Sequence, residues 1–82
     1  MKLIINSPTQ EISHQVAWLE INTPTGNYVI QKGHVPTLMM LATNQPLTYR
    51  LQTGKEEAML IEHGFVTIDR ESARIIAVFK TR

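Results

Sequence analysis

Cysteine is absent from this chain, which rules out disulfide staples and thiolate zinc sites. The absence is compatible with a reducing compartment. Charge is scarce: 18% of residues are charged and the formal net charge is +1. Both signs are scattered, which leaves no electrostatic footprint for nucleic acid or an anionic membrane. Aromatic residues are few and spread singly, as Trp18, Tyr28, Tyr49, Phe65 and Phe79. A single-stranded nucleic-acid platform groups such rings on one face among basic residues, and here only Tyr49-Arg50 brings the two together. Long apolar runs are missing as well. The longest, Val35 to Ala42, contains Pro36 and Thr37 and is too short to span a bilayer, so no direct membrane insertion is expected. The apolar start Leu3-Ile4-Ile5 stops at Asn6 and lacks the basic flank and long core of a secretory signal.

What is present suits one small globular domain spanning residues 1–82. Hydrophobic residues make up 43% of the 82, too many for an unstructured tail. Turn residues break the apolar runs at roughly eight- to twelve-residue intervals, the spacing of a sandwich or barrel. Lys2 to Asn6 is a first strand, ended by Ser7-Pro8-Thr9, and Gln10 to Ser13 is a short extension. Gln15 to Ile21 is a strand whose alternation sets Ala17, Leu19 and Ile21 on one face and Val16, Trp18 and Glu20 on the other. Pro24 and Gly26 mark a loop, Tyr28 to Ile30 a brief strand, and Lys32 to Pro36 a second loop in which Pro36 holds Val35 extended. Thr37 to Leu41 has room for only about one helical turn, so it is taken as a strand. Leu47 to Gln52 and Glu56 to Glu62 flank the hairpin signal Thr53-Gly54-Lys55. Gly64 to Ile68 and Ala73 to Phe79 flank a second turn at Asp69 to Ser72. No window sustains a helical period, and the reading is all-β, a flattened sandwich or barrel of mostly antiparallel strands.

Catalytic constellations are hard to find. His14, His34 and His63 stand apart, outside any nucleophile or metal motif. Glu56-Glu57 is an adjacent acid pair, but neighbours on a strand point to opposite faces. No glycine-rich phosphate cradle is present, and neither a cofactor nor a metal is expected. Two loops stand out instead. Gly33 and Pro36 stiffen the backbone around His34, which fits either a docking knuckle or a turn whose imidazole caps the backbone. Gly26-Asn27-Tyr28 is a turn that presents a tyrosine.

The pattern Gly26-x-x-x-x-x-x-Gly33-His34-x-Pro36-x-Leu38, then Gly54-Lys55-Glu56-Glu57, then Gly64-Phe65-Val66-x-Ile68, resembles the N-terminal domain of the epsilon subunit of rotary F-type ATP synthases, called delta in mitochondria. Met1 to Ile5 with Ser7-Pro8 also looks like the family's first strand and turn. The resemblance implies a flattened sandwich of about ten short strands. It implies a non-catalytic central-stalk role, gripping the gamma subunit and resting on the c-ring, peripheral to an energy-transducing membrane: the cytoplasmic face of a bacterial inner membrane or its organelle equivalent. On this resemblance Asn6, Ser7, Gly33, His34, Val35 and Met39 lie against gamma, and Gly26, Asn27 and Tyr28 face the c-ring.

Several positions depart from the family's pattern. The proline usual before Gly-His is Lys32, the glycine of the preceding short strand is Val29, and the first glycine of the Gly-Gly pair is His63. The family's Ala-Asp after the last strand appears as Ala77-Val78. The acid common on the c-ring loop is Asn27, which removes a charge-assisted contact. The family's C-terminal helical hairpin has no counterpart in the sequence, so neither ATP binding nor hairpin-type inhibition is expected. Two other classes compete with rotor docking. One is a small barrel for oligonucleotides or glycans, disfavoured by the scattered aromatics and near-neutral charge; the other is a small hydrolase or metalloprotein, for which no constellation exists.

Overall fold

The short apolar runs assemble into seven strands and no helix among residues 1–79, the part of the chain that the computed structural model describes. They are β1 (Lys2–Asn6), β2 (Glu11–Thr23), β3 (Gly26–Ile30), β4 (Thr37–Met40), β5 (Gln45–Leu51), β6 (Glu56–Ile68) and β7 (Ser72–Phe79). The hydrogen-bonded order is β1-β7-β6-β5-β2-β3. β1 also pairs with β2, so the path from β1 through β7, β6 and β5 returns on itself and closes a barrel. β3 hangs on the far end of β2, and β4 on the far end of β6. All ladders are antiparallel except β1–β7. The principal extents, 32 × 27 × 19 Å, give the flattened shape expected of a sandwich-like barrel.

Seven strands form rather than the expected ten, and two of the three missing come from breaks read within what are single long strands. β2 runs unbroken from Glu11 through His14 to Thr23, and β6 through Glu62 and His63; each is 13 residues long. On β2, Val16 pairs with Leu51 and Trp18 with Arg50, so Ala17 is the extra residue of a bulge. That insertion changes the inward face. Ile12, His14 and Val16 point in before it, Leu19 and Ile21 after it, and Ala17 is exposed. The expected face with Ala17, and the expected separation of Val16 from Leu19, are therefore corrected by one inserted residue. β6 repeats the device: Ile61 pairs with Phe79 and His63 with Val78, leaving Glu62 unpaired. The inward set shifts from Met59 and Ile61 to Gly64, Val66 and Ile68. Each bulge lets one strand serve different neighbours along its length. β2 leaves β1 for β5 and β3, and β6 leaves β5 for β7 and β4.

The interior is wholly apolar. Leu3, Ile5, Val16, Leu19, Ile21, Ile30, Val66, Ile68, Ala73 and Ile75 are almost completely shielded, and no polar side chain is buried among the described residues. Tyr49 is the one aromatic residue in this buried core. His14 stacks on it, with centroids 5.3 Å apart and planes 29° apart. Burial, and second the Glu57 carboxylate on the facing strand, hold the Tyr49 phenol above its ordinary value.

Candidate docking surfaces

Strand alternation on β4 decides which side chains face solvent. Thr37 and Met39 turn inward, and Met39 packs against the core. Leu38 and Met40 must then point out, and they are 67% and 65% exposed. Met40 sits opposite Phe65 on β6, Phe65 opposite Ile76 on β7, and Ile76 opposite Asn6 on β1. The result is a cross-strand apolar row on the outer face of β4, β6 and β7. At its lower end the β6 bulge opens a concavity of about 470 Å³, lined by Asn6 to Pro8, Met40, Thr43, Gly64, Phe65 and Ile76 among others. Bulges strengthen local twist, which is how a flat face acquires a hollow there.

Gly64 sets how closely β6 and β7 approach beneath this hollow. A Cβ placed there would lie 2.5 Å from the Ile76 carbonyl oxygen and 2.8 Å from the Ala77 Cα. The preceding His63 points out and stands 3.8 Å from Glu62, so a side chain is tolerated where the family often has its first glycine.

Of the residues expected against gamma, Met39 turns inward from the middle of β4 and packs on the core, and the other five fall at the two ends of this row. Asn6 and Ser7 form the rim of the hollow. Asn6 donates to Glu11 Oε1 at 2.8 Å and accepts from Arg74 Nη1 at 2.7 Å. Ser7 closes a turn with Gln10, its Oγ accepting from the Gln10 N–H at 3.2 Å. Gly33, His34 and Val35 lie at the opposite end. There the Gly33 N–H donates to the Arg70 carbonyl at 2.6 Å and Lys32 approaches Glu71 at 4.0 Å. The β1–β7 register from Lys2↔Ser72 to Asn6↔Ile76 separates these ends by roughly 13 Å. His34 Nδ1 lies 2.7 Å from the Val35 carbonyl, which can only accept, so Nδ1 donates in this capping contact. Val35 is 70% exposed and extends the apolar row.

Leu38, Met40, Phe65 and Ile76, which join the two ends, were not among the expected contacts. Leu38 and Met40 flank Met39 on β4, so its inward turn, contrary to the expectation that it faces gamma, sends both of them outward.

Gly26, Asn27 and Tyr28 open β3 at the tip of the β2–β3 hairpin. Gly26 has φ +147°, which favours glycine. Thr23 Oγ1 donates to the Gly26 carbonyl at 2.9 Å and accepts from the Thr25 N–H at 3.2 Å. Thr25 Oγ1 lies 3.4 Å from the Tyr28 hydroxyl. Tyr28 and Val29 are exposed, and no charge occurs from Asn22 to Gln31. The tip is thus a rigid, neutral surface of hydroxyls and amides.

Among the described residues no group of three His, Asp or Glu is arranged to hold a metal ion. Nor is any helix among them long and apolar enough to cross a membrane.

The described residues thus form a closed, bulged β-barrel with a hollow apolar outer face and a neutral hairpin tip. The family model described as "ATP synthase, Delta/Epsilon chain, beta-sandwich domain" matches residues 1–79, and the chain belongs to that family. It is similar to a chain in the Euglena gracilis mitochondrial ATP synthase, OSCP/F1/c-ring in rotational state 1 (TM-score 0.84, 26% identity, covering 93% of this chain and 49% of that one). It shares its fold with a chain of the Tetrahymena thermophila mitochondrial ATP synthase central stalk/c-ring (TM-score 0.81, 19% identity, covering 95% of this chain and 63% of that one). The chain therefore spans about half the length of the first and less than two thirds of the second. No curated protein matches it in sequence.

Proposed function

We propose that this chain is the docking platform of a central-stalk subunit in a rotary ATP synthase. It binds the gamma shaft through the outer face of β4, β6 and β7, and rests on the c-ring through the β2–β3 tip. It performs no chemistry; it helps to couple proton-driven rotation to ATP synthesis by holding shaft and ring in register. It works peripheral to the energy-transducing membrane, attached through these partners.

The observation that carries this reading is the row of exposed Leu38, Met40 and Ile76 bridged by half-buried Phe65, in a member of this family. Large exposed apolar side chains grouped on one face mark interaction sites. Fully burying a Leu, Ile or Met side chain is worth roughly 1.5–3 kcal/mol. Leu38 and Met40 are about two-thirds exposed, so each has about 1–2 kcal/mol still to gain in a complex. Two or three such anchors on a rigid sheet make a workable hot spot.

The test is co-purification with gamma. A double variant, Leu38→Glu with Met40→Glu, should lose the complex while its melting temperature stays near that of the parent, because both positions are exposed. A complex that survives the two carboxylates would mean that gamma sits elsewhere.

A further inference from the structure

We propose that Asn22 is the positioning residue of the β2–β3 tip: one side-chain amide clamps the tip to the β4–β5 turn, so that the neutral tip and the apolar hollow form a single rigid unit. The functional meaning of this clamp rests on the docking reading above; its existence does not.

β2 pairs with β5 only as far as Glu20↔Thr48, but continues along β3 to Thr23↔Gly26. Beyond Glu20 one edge of β2 has lost its ladder partner. Asn22 bridges that gap with two bonds and adds a third to β3. Its backbone carbonyl accepts from the Ala42 N–H at 2.8 Å. Its Nδ2 donates to the Pro46 carbonyl at 3.1 Å. Its Oδ1 accepts from Asn27 Nδ2 at 3.0 Å.

Donor–acceptor chemistry fixes the direction of this relay. The Pro46 carbonyl can only accept, so the Asn22 atom facing it is the amide nitrogen. Oδ1 is then committed to residue 27, which must supply a donor. Asn27 does. A carboxylate at position 27 could not: it would set oxygen against oxygen, or turn Asn22 over and set its oxygen against Pro46. A donor at position 27 is therefore required by the clamp, and Asn27 supplies it, quite apart from any charge presented to a partner.

The other end of the relay reaches the hollow. Thr43 lines it, and the Asn44 N–H donates to the Glu62 carbonyl at the β6 bulge at 3.1 Å. Hydrogen bonds thus run from the tip, through Asn22, to the turn that walls the apolar surface.

Amide hydrogen exchange on the isolated chain tests this without any partner. A lost hydrogen bond speeds local opening by roughly 2–10-fold. Asn22→Ala should accelerate exchange to that extent in both the 24–30 and the 42–46 segments, with β1 and β7 unchanged. Asn22→Asp keeps the acceptor for Asn27 and loses the donor to Pro46. It should accelerate 42–46 and largely spare 24–30. Exchange within a factor of about two of the parent in both segments under Asn22→Ala would overturn the clamp, as would acceleration spread evenly over the whole chain. Binding of Asn22→Ala to a gamma–c-ring assembly is the second measurement. Faster exchange with weakened ring binding supports both clamp and docking reading. Faster exchange with parental ring binding upholds the clamp and removes the tip from the docking reading.

Discussion

Replacing Gly64 with alanine adds one methyl at the tightest seam of the barrel. Gly64 does not have a positive φ, so alanine can adopt its backbone conformation and the effect is purely one of space. The new Cβ would meet the Ile76 carbonyl oxygen at 2.5 Å, the Ala77 Cβ at 2.7 Å and the Ala77 Cα at 2.8 Å. Two of these are backbone atoms, which cannot rotate away. β6 and β7 must part by roughly an ångström to restore ordinary contact distances. Overpacking of this kind costs about 1–3 kcal/mol, and the stretched ladder adds to it. The reduced freedom of the unfolded chain returns about 0.4–1 kcal/mol. A net loss of about 2 kcal/mol should lower the melting temperature by roughly 8–16 °C in a domain of this size. Thermal melts followed by circular dichroism, with urea titration for the free energy, measure it. Gly33→Ala is the control: no heavy atom lies within 4 Å of the point its Cβ would occupy, but φ is +91°, so its smaller cost of about 1 kcal/mol is conformational. Adding Ala77→Gly to Gly64→Ala should recover part of the loss, whereas the same change should not help Gly33→Ala. A Gly64→Ala protein within about 0.5 kcal/mol of the parent would refute the claim that this seam is closed to a side chain.

Deleting Ala17 removes the β2 bulge. Trp18 would then follow Val16 in regular alternation, so Ile12, His14 and Val16 should stay inward and the deletion should keep a well-dispersed, native-like amide spectrum; a collapsed spectrum would show that the bulge itself is needed for β2 to pass from β1 to β5. Tyr49 makes stability depend on pH at the alkaline end. Its folded-state value lies above the unfolded 10.0, so its contribution is complete below pH 10 and is lost as pH rises through the folded value. Ultraviolet titration of the Tyr49 phenolate in a Tyr28→Phe background should give a midpoint above 10.0, and Glu57→Gln should lower it; a midpoint at or below 10.0 in the parent would contradict the burial argument.

The all-β architecture is legible because turn residues punctuate short apolar runs, and Thr37–Met40 is legible as a strand because too little chain is available there for a helix. Bulges are not legible. A single inserted residue leaves composition and local propensity unchanged, and it shows only when a partner strand counts the register. That is why simple alternation sets Val16 on the wrong face and divides β6 at His63. The site is half legible. The glycine–histidine loop and the Asn6–Ser7 turn carry motif signals, whereas Leu38, Met40, Phe65 and Ile76 look like core residues until the sheet shows which side is covered. The role of Asn27 is hidden for a similar reason. Its meaning depends on Asn22 and on Pro46, which reaches it only through the fold.

The parallel seam between β1 and β7 has a consequence for biosynthesis. Residues Lys2 to Asn6 leave a ribosome well before their partners Ser72 to Ile76. Throughout that delay Leu3 and Ile5, which are shielded in the finished molecule, lack their final neighbours. Closing such a ring requires bringing distant stretches together before the reward arrives, so acquisition of the native state belongs to the slow, millisecond-to-second class of β proteins and comes after translation of the domain rather than alongside it.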